Sequence, residues 1–152
     1  MASTIIDMST LPAPAVVEAL DFESIFAAAL ADFKVRMPEW TAELESDPVL
    51  KLLEVFAYRE MLIRSRVNEA ARSVMLAYAT GADLDQIAAL FNVSRLSGES
   101  DARLRLRAQQ GFSALGAAGP EQAYRAHAMG VSNAILDVSV TSGAPGRVDV
   151  CV

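Results

Sequence analysis

The stretch ESDPVLKLLEVFAYRE, residues 45–60, decides the fold because it opens a helix that its own sequence does not stop. Asp47 is a good N-cap, and Pro48 fits the first helical turn, where its missing N–H costs nothing. The next residue that ends a helix is Gly81. The interval of about 33 residues would give roughly 50 Å of helix at about 1.5 Å per residue, whereas globular helices average about 11–12 residues. The sequence therefore predicts one helix over 48–80.

An apolar seam follows this helix at alternating steps of four and three residues, which is the spacing of a coiled coil. Glu60 fills the one gap in the repeat. The seam residues, which we take as the candidate interface, are Val49, Leu53, Phe56, Ile63, Val67, Ala70 and Val74. A second apolar strip widens the surface beyond two-helix geometry and consists of Leu50, Leu52, Ala57, Met61, Ala71, Met75 and Tyr78.

Two interpretations of the seam are open. It is either the inward side of a core helix in a monomeric bundle or a surface that another chain covers. The other predicted helices are about half as long as the first, so they do not cover a stripe of roughly 50 Å by themselves. The lengths of the helices favour the second interpretation.

The N-terminal side of the chain adds one amphipathic helix to the long one. Residues 1–20 contain Pro12 and Pro14 and are predicted to form an extended arm, which either frays or lies on a partner. Asp21 caps the helix that follows, and Pro38 ends it. The apolar stripe of this helix consists of Phe22, Ile25, Phe26, Ala29, Leu30 and Phe33.

Shorter helices follow on the C-terminal side. Gly81 suits a left-handed position after the long helix, and Asp83 is predicted to cap the next one. Ser100 is predicted to cap the segment DARLRLRAQQGFSAL, and Pro120 to begin one more short helix. The sequence thus predicts three helices of ordinary length after the long one.

Three arginines that resemble a phosphate patch, Arg103, Arg105 and Arg107, alternate with leucines in the second of these helices. In a helix, this spacing spreads them over the polar side. The whole chain has a net charge of −6 and a pI of about 4.7. We therefore predict a solvated or partner-paired face there, not a phosphate site.

The C-terminal sequence changes to a two-residue period. Valines alternate with polar residues over 135–141 and again over 147–152, around the turn SGAPG, which predicts a β-hairpin. The predicted fold is mainly α: a long N-terminal bundle helix, shorter helices and a small C-terminal β element. We assign an arm to 1–20, a helical bundle to 21–95, and a helix-loop-helix with the start of an incomplete β-rich domain to 96–152.

Composition excludes several classes of protein. The acidic balance argues against a nucleic-acid partner, because such binders normally present a basic stripe. No uncharged apolar run approaches the roughly 18 residues of a membrane span, and the N-terminus lacks the features of a signal peptide. Cys151 is the single cysteine, so no disulfide forms within the chain. We expect a soluble protein that is made inside a cell.

Catalytic chemistry is also absent from the sequence pattern. His127 is the only histidine, and no nucleophile stands at a suggestive spacing from it. One histidine and one cysteine do not make a metal site, and GAAGP lacks the lysine and hydroxyl residue of a phosphate loop. We predict no catalytic, metal or cofactor site and a chain built for contact. An enzyme subunit whose site another chain completes is the disfavoured alternative.

Several segments, taken in order along nearly the whole chain, resemble one known family. They are IIDMSTLPAP, ESDPVLKLLEVFAYRE running through RVNEAARSVMLAYATGADLDQIAALFNVSR, ESDARLRLR, GAAGPEQAYRAHAMGVSNAILDVSV and APGRVDVCV. Each segment alone is a weak signal, but the ordered set resembles the baseplate J-like family of contractile-tailed temperate phages. The chain departs from that pattern in the short turn between Arg95 and Ser100, and the family's members continue past a position like Val152.

The resemblance implies a structural protein of the baseplate wedge, without enzymatic activity. In that family the long helices of this protein bundle with a second copy and with a smaller I-like wedge protein. Wedges then contact neighbouring wedges and the central hub or spike proteins, with no nucleic acid and no membrane span. The implied location is the virion tail baseplate, after synthesis in the host bacterial cytoplasm. A competing hypothesis is a cytoplasmic helical adaptor or regulator that dimerises through the long helix.

Overall fold

A computed structural model describes residues 6–12, 14–41, 44–114 and 121–152. Over these residues the chain has five α-helices and one antiparallel β-hairpin, which confirms the predicted fold class. A single 3₁₀ turn, Met8–Thr10, precedes them. The elements are α1 Phe22–Arg36, α2 Pro48–Ser73, α3 Gly81–Leu90, α4 Asp101–Ala114, α5 Glu121–Met129, β1 Ser139–Ala144 and β2 Arg147–Cys151.

The chain divides into two compact units. One, here called the closed unit, comprises residues 1–12 and 73–152, and the other, the open unit, comprises residues 13–72. The open unit therefore contains α1 and α2, and the closed unit contains all the later elements. The arm, bundle and β-rich domains predicted from the sequence remain predictions.

The core of the closed unit lies between α3 and α4. Five fully buried residues form it: Ala79, Leu84, Ala88, Leu104 and Ala108. Leu76, Ile87, Phe91 and Val93 pack around them. At Gly111 of α4 an added Cβ would lie 2.8 Å from both the Phe91 carbonyl oxygen and Val93 Cγ2. Only glycine fits there, so this close approach fixes how α4 meets the segment after α3.

The long helix is shorter at its C-terminal end than predicted. α2 ends at Ser73 instead of near residue 80, and Val74 lies in the turn that follows. Arg105 of α4 donates from Nε to the Leu76 carbonyl and from Nη2 to the Ala79 carbonyl, both at 2.7 Å. Packing of this segment into the core of the closed unit thus replaces the last two predicted turns of helix.

The three arginines of α4 were predicted to line a solvated or partner-paired face, and this is wrong. Arg107 Nη1 donates to Glu99 Oε2 at 2.7 Å and to the Ser94 carbonyl at 3.1 Å. Arg103 Nη2 donates to the Ser132 carbonyl at 3.0 Å, and its Nε lies 3.3 Å from Glu99 Oε1. The reason is that α4 contacts both α3 and α5, so its polar side faces loops of the same chain.

Local helix signals were mostly correct. The Asp21 carboxylate accepts the Ser24 N–H at 2.9 Å, and Ser100 Oγ accepts the Arg103 N–H at 3.4 Å. Gly81 has the predicted left-handed backbone, with φ of +53°. The helix it was expected to precede begins at Gly81 itself, so Asp83 lies in the first turn and is not the cap.

The described part of the N-terminal arm lies on its own chain. In the closed unit, Gln109 Nε2 donates to the Ile6 carbonyl at 3.0 Å, and the Asp7 carboxylate accepts the Ser9 N–H at 2.9 Å. Residues 1–5 and 13 of the predicted arm lie outside the described residues. The described contacts of residues 6–12 are thus one hydrogen bond to α4 and a local turn, both on the surface.

The predicted hairpin is confirmed, with its second strand at Arg147–Cys151, but its first strand lies further along the chain than predicted. Its first strand begins at Ser139, not near residue 135, and pairs Val140 with Val150 and Thr141 with Asp149. The turn is Pro145-Gly146, with Gly146 at φ of +78°, so Ser142 and Gly143 belong to the strand. The pairing register shifts between Thr141 and Ala144, which accommodates these extra residues.

Candidate assembly interface

The helix α2 has two different apolar sides. On one side, Leu50 and Ala57 are buried, and the same side includes the buried Asn68. The predicted seam lies mostly elsewhere: Val49 and Leu53 are half-buried, and the seam residues from Phe56 to Ala70 are exposed. Of the second predicted strip, Leu50 and Ala57 are buried, whereas Leu52 is exposed with the seam.

We define the outer face of α2 by six exposed apolar side chains that share one side of the helix at about 100° per residue. They are Leu52, Val55, Phe56, Leu62, Ile63 and Val67, with exposed fractions between 44% and 66%. Scattered apolar residues on a surface are ordinary, but a contiguous set of this kind marks a contact surface. The exposure favours the interpretation in which another chain covers the seam.

A cation stands in the middle of the outer face. The residues three and four positions from Arg59, which are its neighbours on a helix, are Val55, Phe56, Leu62 and Ile63. Among the described residues, no carboxylate lies within ion-pairing distance of Arg59. A second arginine, Arg66, follows two turns later; it is highly exposed, and its Nη1 lies 3.3 Å from Glu69 Oε2. The outer face is thus apolar with two cations at a seven-residue interval.

The inward side of α2 carries a contact that sequence reasoning missed. The Asn68 side chain accepts the Glu18 N–H at 3.1 Å and donates to the Glu18 carbonyl at 2.8 Å, so it bonds both backbone polar groups of one residue in the segment before α1. The sequence did contain one indication of this contact. Asn68 places a polar amide at a position where the helical spacing of Ala57 and Met61 leads one to expect another apolar residue. Its partner lies 50 residues away in the sequence, which hides it from local patterns.

The cation on the inward flank, Arg64, is already engaged. Its Nη2 lies 2.6 Å from Glu60 Oε1, and its Nη1 lies 3.4 Å from Glu18 Oε2. The hydrogen bond to Glu60 and then the charge of Glu18 raise the pKa of Arg64 above its ordinary value. Arg64 and Arg59 therefore differ, because among the described residues Arg64 forms ion pairs and Arg59 does not.

His127 lines a cavity of about 360 Å³ in the closed unit together with Phe91, Val93 and Arg107. Within the described ranges, no group of three or more His, Cys, Asp or Glu side chains is placed to hold a metal ion. The described helices also include none that is long and apolar enough to cross a membrane. Among the described surfaces, the outer face of α2 is suited to contact with another chain.

Known proteins share sequence with the region around α2. A family model described as the Baseplate J-like N-terminal domain matches residues 45–100, a range that contains all of α2 and α3. Over an alignment of 170 residues, the chain is 46% identical to Baseplate protein J of Escherichia phage P2. The alignment covers 97% of this chain and 56% of that protein, so the chain spans about half the length of its relative.

Proposed function

Because the chain belongs to the baseplate J-like family, we propose that it is a structural subunit of a phage tail baseplate and packs through the outer face of α2. The observation that supports this is the exposure of Phe56, Ile63 and Val67 on one side of the longest helix. Burying the exposed part of three such side chains contributes roughly 1–2 kcal/mol each, before the costs of association.

The open unit also has little interior of its own. Of the residues described in this unit, only Ile25, Leu50, Ala57 and Asn68 are buried. Edge contacts such as the pair of Phe33 and Trp40 rings, 5.4 Å apart, add to α1 but do not cover α2. A pair of helices with so small a core is stabilised when further helices complete a bundle.

The proposed partners are a second copy of the chain and a smaller I-like wedge protein, whose helices join α2 in one bundle. Neighbouring wedges and the hub or spike proteins are proposed as further contacts. The proposed place of action is the virion tail baseplate, assembled in the host cell. The role is structural, and no group of described side chains is assigned to catalysis.

Co-expression with the I-like wedge protein of the same tail tests the proposal. We expect one stable complex that contains two copies of this chain, measured by size exclusion with light scattering. Phe56→Asp should abolish the complex, because it places an unpaired charge in the interface at a cost of several kcal/mol. Leu90→Asp is the matched control, since Leu90 is 82% exposed but lies on α3.

Two results would contradict the proposal. One is a Phe56→Asp chain that is folded, by circular dichroism, and still forms the complex in full yield. The other is a chain that stays alone at micromolar concentration with every candidate wedge partner. A tail preparation made with the Phe56→Asp gene gives the same test in particles, where normal tail yield would exclude the outer face as an interface.

A further inference from the structure

Arg59 indicates which kind of chain covers the outer face. Its helical neighbours Val55, Phe56, Leu62 and Ile63 are all apolar and exposed. Any helix that buries those four side chains also covers the stem of Arg59 and confines its guanidinium to the edge of the contact. A partly desolvated guanidinium without a carboxylate is unfavourable there, so an acid at this position of the covering helix strengthens and orients the contact.

A second copy of α2 is a poor source of that acid. In the heptad of the seam, the flanking positions are Leu50, Ala57, Arg64 and Ala71 on one side and Leu52, Arg59, Arg66 and Ser73 on the other. These eight positions hold three arginines and no carboxylate. A parallel pair sets Arg59 against Arg64 of the other copy, and an antiparallel pair sets the Arg59 side against the same side of the other copy.

One carboxylate does lie on the seam itself, at Glu60. It is bonded to Arg64 at 2.6 Å within its own helix, so a second copy would have to break that pair to reach Arg59. In a parallel pair, the two Glu60 side chains would also face each other across the seam, which is unfavourable. Self-association through this flank therefore leaves positive charge unmatched.

We propose that the Arg59 flank of the outer face binds a helix of a different subunit, with Asp or Glu residues at a seven-residue interval opposite Arg59 and Arg66. This deepens the proposed function and rests on it. In a bundle that also contains a second copy, the copy takes another part of the seam. The two arginines then select the partner and its register, as flanking charges do in coiled coils.

The role of the two arginines is tested by self-association of the 152-residue chain. Arg59→Glu/Arg66→Glu supplies an acidic outer face on the same scaffold. Self-association is measured by analytical sedimentation at low salt. The dissociation constant should be at least about tenfold lower than that of wild type alone, either for this variant alone or for its mixture with wild type. Arg59→Gln/Arg66→Gln should fall between them, because it removes repulsion without adding attraction. Adding Phe56→Asp to the acidic variant should abolish the gain.

Three outcomes would overturn the inference. Wild type could be the tightest self-associating form, which would assign the flank to a second copy. The gain could be insensitive to salt, which would remove charge as its cause. The gain could survive Phe56→Asp, which would place the association elsewhere on the chain.

Failure of the inference is distinguishable from failure of the proposed function in the co-expression experiment. There, Arg59→Glu should reduce the complex with the wedge partner at least about tenfold, as for a mismatched interfacial charge. If Phe56→Asp blocks the complex and Arg59→Glu does not, the interface stands and the assigned partner charge is wrong. If neither variant has an effect, the outer face itself is not the interface.

Discussion

The two units of this chain differ in the burial of their apolar side chains. In the closed unit, Leu84 and Leu104 are fully buried between helices of the same chain. In the open unit, Phe56 and Ile63 are equally apolar but are more than half exposed. The composition of the two units does not separate them; the number of helices available to cover each face does. The closed unit therefore buries its apolar core within the chain, whereas the open unit leaves one apolar face of α2 exposed.

Charged residues show the same contrast. Glu99 of the closed unit has a fully buried side chain and bonds to Arg107, while Arg103 lies beside it. Arg59 of the open unit stands on an exposed surface among apolar neighbours. Buried charges in the first case are matched by ion pairs within the closed unit, and the exposed charge in the second forms no ion pair with a described residue.

The largest effect is expected on the folding stability of the closed unit, from a substitution at its buried charge cluster. Glu99→Gln leaves Arg103 and Arg107 without their counter-charge in a buried site, which should destabilise the unit by about 3–5 kcal/mol. Urea unfolding followed by circular dichroism measures it. The control is Glu69→Gln, whose partner Arg66 is exposed, with an expected loss below about 0.5 kcal/mol. Equal losses would show that the Glu99 cluster is not a structural centre.

The contrast between the two apolar surfaces is sharpened by a matched pair of truncations. Leu104→Ala should cost about 2–5 kcal/mol because it leaves a cavity in the core. Ile63→Ala should change the stability of the isolated chain by no more than about 0.5 kcal/mol, yet weaken complex formation. A stability loss at Ile63 as large as that at Leu104 would mean that the outer face is already covered in the isolated chain.

A smaller effect is expected where the open unit holds its own segment. Asn68→Ala removes both part-buried hydrogen bonds to Glu18 and should cost about 1–3 kcal/mol, the sum expected for two such bonds. Hydrogen exchange at the Glu18 amide should accelerate, while amides of α4 should keep their protection. Unchanged exchange at Glu18 would show that the grip of Asn68 is dispensable.

The smallest expected effect is a pH dependence confined to the closed unit. The N–H of Gly81 and then Arg95 hold the pKa of Asp101 below its ordinary value of 3.8. The carboxylate thus stabilises the folded state above pH 3.8, and that contribution is lost as pH falls through the lower folded pKa. Asp101→Asn should flatten the acid limb of a stability curve measured between pH 5 and 2, and an unaltered limb would exclude Asp101 as a source.

What the sequence revealed depended on the range of the interaction. The caps at Asp21 and Ser100 and the left-handed Gly81 follow from nearby residues, so they were predicted. The end of α2 at Ser73 was not, because it depends on Arg105 reaching back to carbonyls of Leu76 and Ala79. The seam was found from its period, but its exposure follows from the packing of the open unit, which no local pattern encodes.

The hydrogen bond from Gln109 to Ile6 has a consequence for synthesis. Through this bond residues 6–12 contact the part of the closed unit that begins at residue 73, so the closed unit is discontinuous in sequence. The open unit, residues 13–72, is therefore complete on the ribosome before the closed unit has its second part, and domains fold as they emerge. The exposed apolar face of α2 therefore leaves the ribosome before the segments that complete the closed unit have been translated.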